Sequence, residues 1–272
     1  MKNTNGKHQT RKKINKKLRI ILIILFLLIF ISSIIYIIYD YYTRWKNEKD
    51  MKELANWLNE TNIVENTENI EENEEEKNNK VLLKKLQELK KENSDLIGWL
   101  RLEDTNIDYP VVQTADNDYY VKHNFKKEYN ELGTIFLDKD CSITKPTANF
   151  LIYGHRSKDG QMFETLTKYK EESFYKEHKT FKFSTLDEVS EYKIIAVFQS
   201  KVYYKNQDVF KFYFFKDAEN ENEFNNYIDN IKKLSMYEIE DTATYGDQLI
   251  TLTTCDYYVE DGRFVVVAKK IK

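Results

Sequence analysis

Cysteine is scarce in this sequence, which has only Cys141 and Cys255 among its 272 residues. Secreted scaffolds and many extracytoplasmic domains are held together by several disulfides, so this low count excludes a disulfide-rich fold. The domain must instead depend on a hydrophobic core. The two thiols either pair with each other, or at least one of them is kept free for chemistry.

Proline and glycine are also rare, with two and seven residues respectively. The two prolines, Pro110 and Pro146, leave the strand-forming segments almost uninterrupted. No glycine-rich stretch has the spacing of a phosphate-binding loop, and no group of histidines and cysteines has the spacing of a metal site. The sequence also has no internal repeat. We therefore expect a protein without a cofactor or a metal ion.

The formal net charge is only −3, but the charges are unevenly distributed. Residues 1–19 carry eight Lys and Arg and no acidic residue, whereas residues 48–76 carry eleven Asp and Glu against two Lys. A basic block before a membrane-length segment indicates membrane topology. We interpret residues 1–19 as a basic cytoplasmic tail that attracts anionic lipid, and we expect no nucleic-acid partner.

The one long apolar run, residues 20–39, reads IILIILFLLIFISSIIYIIY and contains no charged residue. A helix of this length spans about 30 Å, the thickness of the hydrocarbon core of a bilayer. A cleaved signal peptide has a shorter apolar run and a small-residue cleavage site, and this sequence has neither. We predict a transmembrane signal-anchor with a cytoplasmic N-terminus and with the chain from about residue 40 onward outside the cell. The alternative is a buried core helix.

Residues 40–79 are acidic and rich in asparagine, and are predicted to form a spacer that is partly helical or disordered. A folded domain is predicted over residues 80–272. Its first part, residues 80–97, has leucines at helical spacing, which predicts N-terminal helices.

The rest of the domain, residues 98–272, is predicted to be mainly β. Short segments rich in Val, Ile, Phe, Tyr and Thr are typical of strands, and eight of them favour a closed barrel or a sandwich. One amphipathic helix over residues 218–236 precedes the last two strands. The predicted strands are 98–102, 107–112, 134–137, 149–154, 180–185, 192–202, 248–254 and 263–271.

The last two predicted strands form a hairpin that carries Cys255 at the end of one strand and Arg263 at the start of the next. A connection of seven residues returns the chain antiparallel, so the thiol and the guanidinium meet at one end of the barrel. A nearby cation favours the reactive thiolate and can bind a developing oxyanion. A small buried cysteine beside a surface arginine is the alternative.

His155 ends another predicted strand, in the sequence LIYGHRSKDGQMF. A cysteine and a histidine at strand ends are the groups needed for nucleophilic acyl transfer, in which the thiolate attacks a carbonyl and the imidazole protonates the leaving amine. The other histidines lie in the cytoplasmic tail or in polar stretches. We therefore predict Cys255 and His155 as a catalytic pair.

These motifs resemble those of sortases, the membrane-anchored cysteine transpeptidases of Gram-positive bacteria. TLTTC at residues 251–255 resembles the TLxTC signature of that family, and YGH and the closing arginine follow the family's order. Segments such as DLIGWLRLEDTNIDYPVVQ, GTIFLD and GRFVVVAK, with the helix before the last two strands, resemble class B. The resemblance extends over nearly the whole predicted exported domain.

The resemblance implies an eight-stranded sortase β-barrel with N-terminal helices. It also implies that Cys255 cleaves a C-terminal sorting signal after Thr and forms a thioacyl enzyme. An amine of the peptidoglycan peptide, or of its lipid-linked precursor, would then resolve this intermediate. The implied partners are surface proteins with NPxTN-like or (S/P)PxTG-like signals. His155 would act as acid and then as base, and Arg263 would position the substrate and stabilise the oxyanion.

Substrate-binding positions carry over from the resemblance as well. They are Thr253, Asn117, Val121 and Asp256, each of which could instead be ordinary barrel structure. The sequence departs from class B at Arg156, where many members have Asn. We expect a cation there to influence the neighbouring His155 or to meet an anionic part of the acceptor.

Two other functions remain open from the sequence. A membrane-anchored cysteine peptidase would use the same thioacyl intermediate but only hydrolyse it. A non-catalytic binding protein of the cell envelope would have the same anchor and β-domain, and in that case Cys255 would be dispensable or joined to Cys141 in a disulfide.

Overall fold

The structure is a computed structural model, and it describes residues 15–60 and 73–272. The chain divides into two compact units, one that ends at Lys46 and one that comprises Asn47–Lys272. Helix α1, Lys16–Asn59, runs through the boundary between them. The predicted cytoplasmic tail before residue 15 and the middle of the predicted acidic spacer lie outside the described residues.

In the first unit, α1 is apolar and its large side chains are exposed from Leu18 to Trp45. By length and composition, this helix is able to cross a membrane. The hydroxyls of Ser32 and Ser33 donate hydrogen bonds to the carbonyl of Ile29, at 2.8 and 2.9 Å. Both serines are thereby satisfied within the helix, so they carry no unpaired polar group into an apolar surrounding.

The second unit begins earlier than the predicted domain boundary at residue 80. The end of α1 buries Met51, Ala55 and Leu58 in the same core cluster as the barrel side chains. These residues follow one another at helical spacing, so the first part of the predicted spacer is an amphipathic helix. Asp50 of the same segment pairs with Lys126 at 3.1 Å, so an acidic residue of the predicted spacer also contacts the folded unit.

Helix α2, Glu74–Glu92, is the predicted N-terminal helix, and it begins six residues earlier than expected. The side chain of Asn73 caps it by accepting from the backbone N–H of Glu75, and Leu86 and Leu89 are buried. Asn93 ends the helix, and its Oδ1 atom accepts from the N–H of Asp95 at 2.9 Å. This turn leads directly into the first strand at Leu96, so there is no second helix before it.

The eight strands form a closed barrel in the order β1-β2-β3-β4-β7-β8-β6-β5. This confirms the predicted mainly β fold and its eight strands. Neighbouring strands are antiparallel except for β2 with β3 and β4 with β7, which are parallel. The strands are Leu96–Arg101 (β1), Asp108–Val112 (β2), Phe136–Leu137 (β3), Asn149–Tyr153 (β4), Thr180–Thr185 (β5), Val189–Lys201 (β6), Leu249–Cys255 (β7) and Gly262–Lys270 (β8).

Strand β8 lies inside the sheet, where it pairs with β7 on one side and β6 on the other. Its residues from Phe264 to Ala268 are all fully buried. A strand covered on both faces reads as a continuous apolar run, which explains the sequence FVVVA. Burial of each large apolar side chain contributes about 1.5–3 kcal/mol. This central strand therefore gives the site a rigid support.

Helices are few in the barrel unit. Helix α3, Glu172–Glu177, follows a 3₁₀ segment over Glu164–Lys170, and α4, Glu221–Leu234, precedes β7. Asn220 caps α4 by accepting from the N–H of Glu223. The predicted apolar stripe of α4 is buried except for Leu234, which is 43% exposed because it lies in the last turn.

Candidate active site

Cys255 and Arg263 lie at the end of the barrel where β7 meets β8. Strand β7 ends at Cys255, β8 begins at Gly262, and Cys255 is the direct antiparallel partner of Arg263. Side chains of directly opposed residues point to the same face of a sheet, with Cβ atoms about 5 Å apart. The β7–β8 register therefore places the thiol and the guanidinium side by side.

His155 reaches the same place from the other neighbour of β7. Strand β4 runs parallel to β7 with Tyr153 opposite Thr253, and the N–H of Gly154 donates to the carbonyl of Thr253 at 3.1 Å. His155 follows Tyr153 by two residues, as Cys255 follows Thr253. The parallel register thus brings His155 level with Cys255, although the two are a hundred residues apart in sequence.

One backbone carbonyl orients the His155 ring. The Nε2 atom lies 2.8 Å from the carbonyl oxygen of Val121, in the 3₁₀ turn Tyr119–Val121. A carbonyl can only accept a hydrogen bond, so Nε2 carries a proton in this arrangement. The ring nitrogen left to exchange protons with a substrate is therefore Nδ1. Val121 enters the site through its backbone.

Gly154 is required by the packing behind His155. A Cβ atom on Gly154 would lie 2.6 Å from the ring of Phe163, closer than real Cβ contacts. The N–H of Phe163 in turn donates to the carbonyl of His155 at 2.9 Å. The loop after β4 is therefore fixed on both sides of the histidine, which explains the glycine in YGH.

The two cysteines are both free thiols in very different surroundings. Cys255 is partly exposed, whereas Cys141 is buried and its Sγ donates to the carbonyl of Asn149 at 3.3 Å. Burial raises the pKa of the Cys141 thiol to about 11. Cys255 is therefore the thiol available for chemistry, and it forms no disulfide with Cys141.

Arg263 is half-buried and its guanidinium is anchored through one nitrogen. Its Nη1 atom donates to the carbonyls of Asp261 and Gly262, at 3.2 and 2.9 Å. Its charge also acts on Tyr153 of β4: burial and the Asp138 carboxylate raise the pKa of the Tyr153 hydroxyl, and Arg263 opposes that shift. The Arg263 guanidinium is therefore close enough to act electrostatically on β4, the strand that leads to His155.

Comparisons with known proteins agree with this geometry. A family model described as the sortase domain matches residues 100–271, well over half of the chain. This chain belongs to the sortase family. Sortase B from Listeria monocytogenes is 35% identical over 189 residues, which cover 69% of this chain and 74% of that protein. Sortase B from Staphylococcus aureus is 32% identical over 190 residues, which cover 69% of this chain and 75% of that protein.

Solved structures give the same result. Sortase B from B. anthracis in complex with AAEK1 has a TM-score of 0.69 and 31% identity, covering 85% of this chain and 99% of that chain. The S. aureus sortase B–substrate complex has a TM-score of 0.62 and 30% identity, covering 70% of this chain and 85% of that chain. This sortase is of class B, a cysteine transpeptidase.

The residues predicted to bind substrate in this sortase differ in whether their side chains are already engaged in hydrogen bonds. Thr253 lies on β7 beside Tyr153, and its buried hydroxyl has no hydrogen-bond partner within residues 15–60 and 73–272. The side-chain amide of Asn117 is engaged at both ends, with Nδ2 donating to Asp138 and Oδ1 accepting from the N–H of Lys139. Its bonds fasten the chain before Val121 to the segment after β3.

Asp256 follows the nucleophile, but its side chain is only 2% exposed. Its carboxylate accepts from Arg156 Nη1 at 3.1 Å, from Lys170 Nζ at 2.9 Å and from Gln199 Nε2 at 2.6 Å. Arg156 also pairs with Glu164 at 2.8 Å. Sequence reasoning missed Lys170, Gln199 and Glu164, because single charged or polar residues in a 3₁₀ segment and a strand give no local signal of a buried network.

The part of the chain that the structure describes contains no group of three or more His, Cys, Asp or Glu side chains that could hold a metal ion.

Proposed function

We propose that this sortase cleaves a C-terminal sorting signal after its threonine and joins the shortened protein to a peptidoglycan amine. The observation that carries the proposal is the strand register that brings Cys255, His155 and Arg263 to one barrel end. Three adjacent strand ends supply a nucleophile, a proton carrier and a fixed cation. These are the groups that acyl transfer through a covalent intermediate requires.

In the first half-reaction, the Cys255 thiolate attacks the carbonyl carbon of the scissile bond. The carbonyl oxygen becomes an oxyanion, which the guanidinium of Arg263 stabilises at the place where the charge develops. The tetrahedral intermediate collapses as His155 gives its Nδ1 proton to the departing amine. The products are a thioacyl enzyme and the released C-terminal fragment of the signal.

In the second half-reaction, an amine of the peptidoglycan peptide or its lipid-linked precursor attacks the thioester. His155, now neutral at Nδ1, accepts a proton from this amine, and Cys255 leaves as a thiolate. An amide bond replaces the thioester, so the starting protonation state of the pair is restored. The same acid and base therefore serve both halves of the reaction.

The proposed donor substrates are surface proteins with NPxTN-like or (S/P)PxTG-like signals. The S. aureus sortase B, which is similar to this chain, has been solved as a complex with its substrate, which supports substrate binding by the same fold here. We place Thr253 on β7 and the segment that contains Asn117 and Val121 beside the bound peptide. The burial of Asp256 favours a supporting role for that residue.

We further propose that residues 20–39 anchor this sortase in the cell membrane, with residues 1–19 in the cytoplasm and the catalytic domain outside. The apolar length of α1 supports a membrane span, and the basic residues of 1–19 support this orientation. Accessibility of a single cysteine, placed before or after the anchor in intact cells, tests it. Labelling of residues before the anchor by an impermeant reagent would contradict the orientation.

The experiment that tests the reaction uses the full chain in detergent with a panel of sorting-signal peptides. Each peptide is incubated with and without an added amine, such as triglycine or a diaminopimelate peptide, and the products are identified by mass spectrometry. A transpeptidase gives the amide adduct, with Cys255→Ala as the inactive control. Hydrolysis alone with every peptide and amine would support the peptidase alternative.

A further inference from the structure

The residues that directly follow the two catalytic groups are joined to each other. His155 is followed by Arg156 and Cys255 by Asp256, and Arg156 Nη1 donates to Asp256 Oδ1 at 3.1 Å. Strands β4 and β7 have ended at this point, so the backbone ladder no longer fixes the distance between the two chains. The ion pair makes the next connection between them.

Asp256 is held as a buried carboxylate. Burial works to raise its pKa, but hydrogen bonds from Gln199 and Lys170 and the charges of Lys170 and Arg156 outweigh burial and keep the pKa below its usual value. A buried charge is tolerated only when its partners surround it. Asp256 therefore fixes the first residue after the nucleophile against β6 and the 3₁₀ segment.

The Arg156 side chain is also fixed in place, by hydrogen bonds to carboxylates and by contact with an aromatic ring. Its Nε and Nη2 atoms donate to the two oxygens of Glu164, at 2.8 and 3.3 Å, and its guanidinium lies 5.0 Å from the ring of Tyr257. All three guanidinium nitrogens are thus committed to two carboxylates. Because the guanidinium is planar, these bonds leave it little freedom to rotate.

We propose that the Arg156–Asp256 ion pair is a positioning device that sets the His155 imidazole at its working distance from the Cys255 thiol. The proposal rests on the catalytic roles proposed above for His155 and Cys255. Neither Arg156 nor Asp256 touches the reacting atoms in this scheme. Each acts through its neighbour in the chain, by joining the loop that carries the histidine to the strand end that carries the nucleophile.

Arg156 has a second possible role, which is purely electrostatic, and the experiment must distinguish it from the positioning role. The charge of Arg156 could act through its field alone, by balancing Asp256 near the thiol. Lys170 provides a matched control, because it donates to the same carboxylate from the far end of the 3₁₀ segment, whereas Arg156 directly follows His155. Loss of either cation removes one positive charge from Asp256, but only loss of Arg156 removes the bond between the residue after His155 and the residue after Cys255.

The test measures kcat and KM for Arg156→Met, Arg156→Lys and Lys170→Met in the full chain. The substrates are an amine and a sorting peptide that the wild-type chain cleaves. Misplacement of a catalytic group by about 1 Å costs up to about 100-fold in rate. We expect Arg156→Met to lower kcat about 10- to 100-fold, with KM and the pH optimum unchanged. Arg156→Lys should recover little of the lost kcat, since a point charge cannot bridge two carboxylates. Lys170→Met should lower kcat by less than about threefold, because it leaves the Arg156–Asp256 ion pair in place.

A double-mutant cycle of Arg156→Met with Asp256→Asn gives a second readout. If the pair acts as one device, the double variant should lose no more kcat than the worse single variant. Additive losses would overturn the proposal. So would wild-type kcat in Arg156→Met, an equal loss of kcat in Lys170→Met, or a displaced pH optimum. If Arg156→Met fails to fold by circular dichroism, Arg156→Lys carries the test, because it keeps the charge and most of the volume.

The parallel variants Cys255→Ala and His155→Ala separate this inference from the proposed function. Turnover that persists in either variant would remove the proposed catalytic assignment. Loss of turnover in both, with unaffected Arg156 variants, would overturn the positioning role alone.

Discussion

Cys255 and Arg263 are directly opposed residues of the β7–β8 ladder, at the last position of β7 and the second position of β8. The five residues of β8 that follow Arg263, Phe264–Ala268, are all fully buried. A cation on such a support is fixed before the substrate arrives. Preorganised charge of this kind stabilises a transition state without reorganisation during the reaction.

Replacement of the nucleophile should abolish turnover. We expect Cys255→Ala to lower kcat/KM by at least about 1,000-fold, because no other group can form the thioacyl intermediate. Peptide cleavage followed by chromatography measures the loss, and circular dichroism checks the fold. Cys141→Ala is the matched control and should remain active, since Cys141 is buried between β4 and the preceding loop. An inactive Cys141→Ala variant with an intact fold would contradict this assignment.

Thiol labelling should distinguish the two cysteines without any substrate. With the pKa of Cys141 raised to about 11, its thiol is protonated at pH 8 and buried as well. Iodoacetamide at this pH should therefore modify Cys255 alone in the native chain, and both cysteines after denaturation. Peptide mapping by mass spectrometry measures the sites. Modification of Cys141 in the native chain at a rate similar to that of Cys255 would contradict the structure.

The same shift has a consequence for stability. An unfolded thiol ionises near pH 8.5, but the folded Cys141 keeps its proton until about pH 11, so the folded chain binds more protons between these values. Stability contributed by this group is present below pH 8.5 and is lost as the pH rises through this window. Chemical denaturation of wild type and Cys141→Ala from pH 8 to pH 10.5 measures it. The difference in unfolding free energy between them should shrink with increasing pH.

Most of the barrel could be predicted because its strands carry local signals. Thr180–Thr185 matches the predicted strand at both ends, and the others differ by a few residues. The parallel β4–β7 register, which brings His155 to Cys255, is a pairing across a hundred residues, and no local pattern indicates it. The strand-end positions of Cys255 and His155 indicated a catalytic pair, and the resemblance to sortases implied the same pair.

Other features were missed because their signals were read in the wrong context. The helical spacing of Met51, Ala55 and Leu58 was present in the sequence, but the surrounding acidic residues favoured a spacer. The sequence marked Arg156 as a departure from class B, but it did not indicate that Arg156 and Lys170 both bind Asp256, which lies far away in sequence. Long-range ion pairs of this kind leave no trace in hydrophobic periodicity.

The role of Arg263 can be tested by a change that keeps the positive charge. Arg263→Lys should lower kcat by about 100-fold or more, because loss of one oxyanion donor has a cost of this size. Lysine has a point charge on a flexible stem and cannot reproduce the bonds to the loop carbonyls together with a contact to the oxyanion. Steady-state kinetics with a sorting peptide measures the effect. Near-normal turnover in Arg263→Lys would remove the proposed oxyanion role.

Gly154 offers a test of how closely the histidine loop must be packed. In Gly154→Ala, the new Cβ would lie 2.6 Å from the Phe163 ring, so the ring or the loop that carries His155 must shift. We expect kcat to fall about 10- to 100-fold, since a displaced imidazole no longer reaches the leaving amine. Gly246→Ala is the control: its φ of +99° makes alanine strained, but nothing lies within 4 Å of the new atom. That variant should lose about 1 kcal/mol of stability and keep its kcat. If both variants lose stability equally and neither loses kcat, the packing behind His155 does not set its catalytic position.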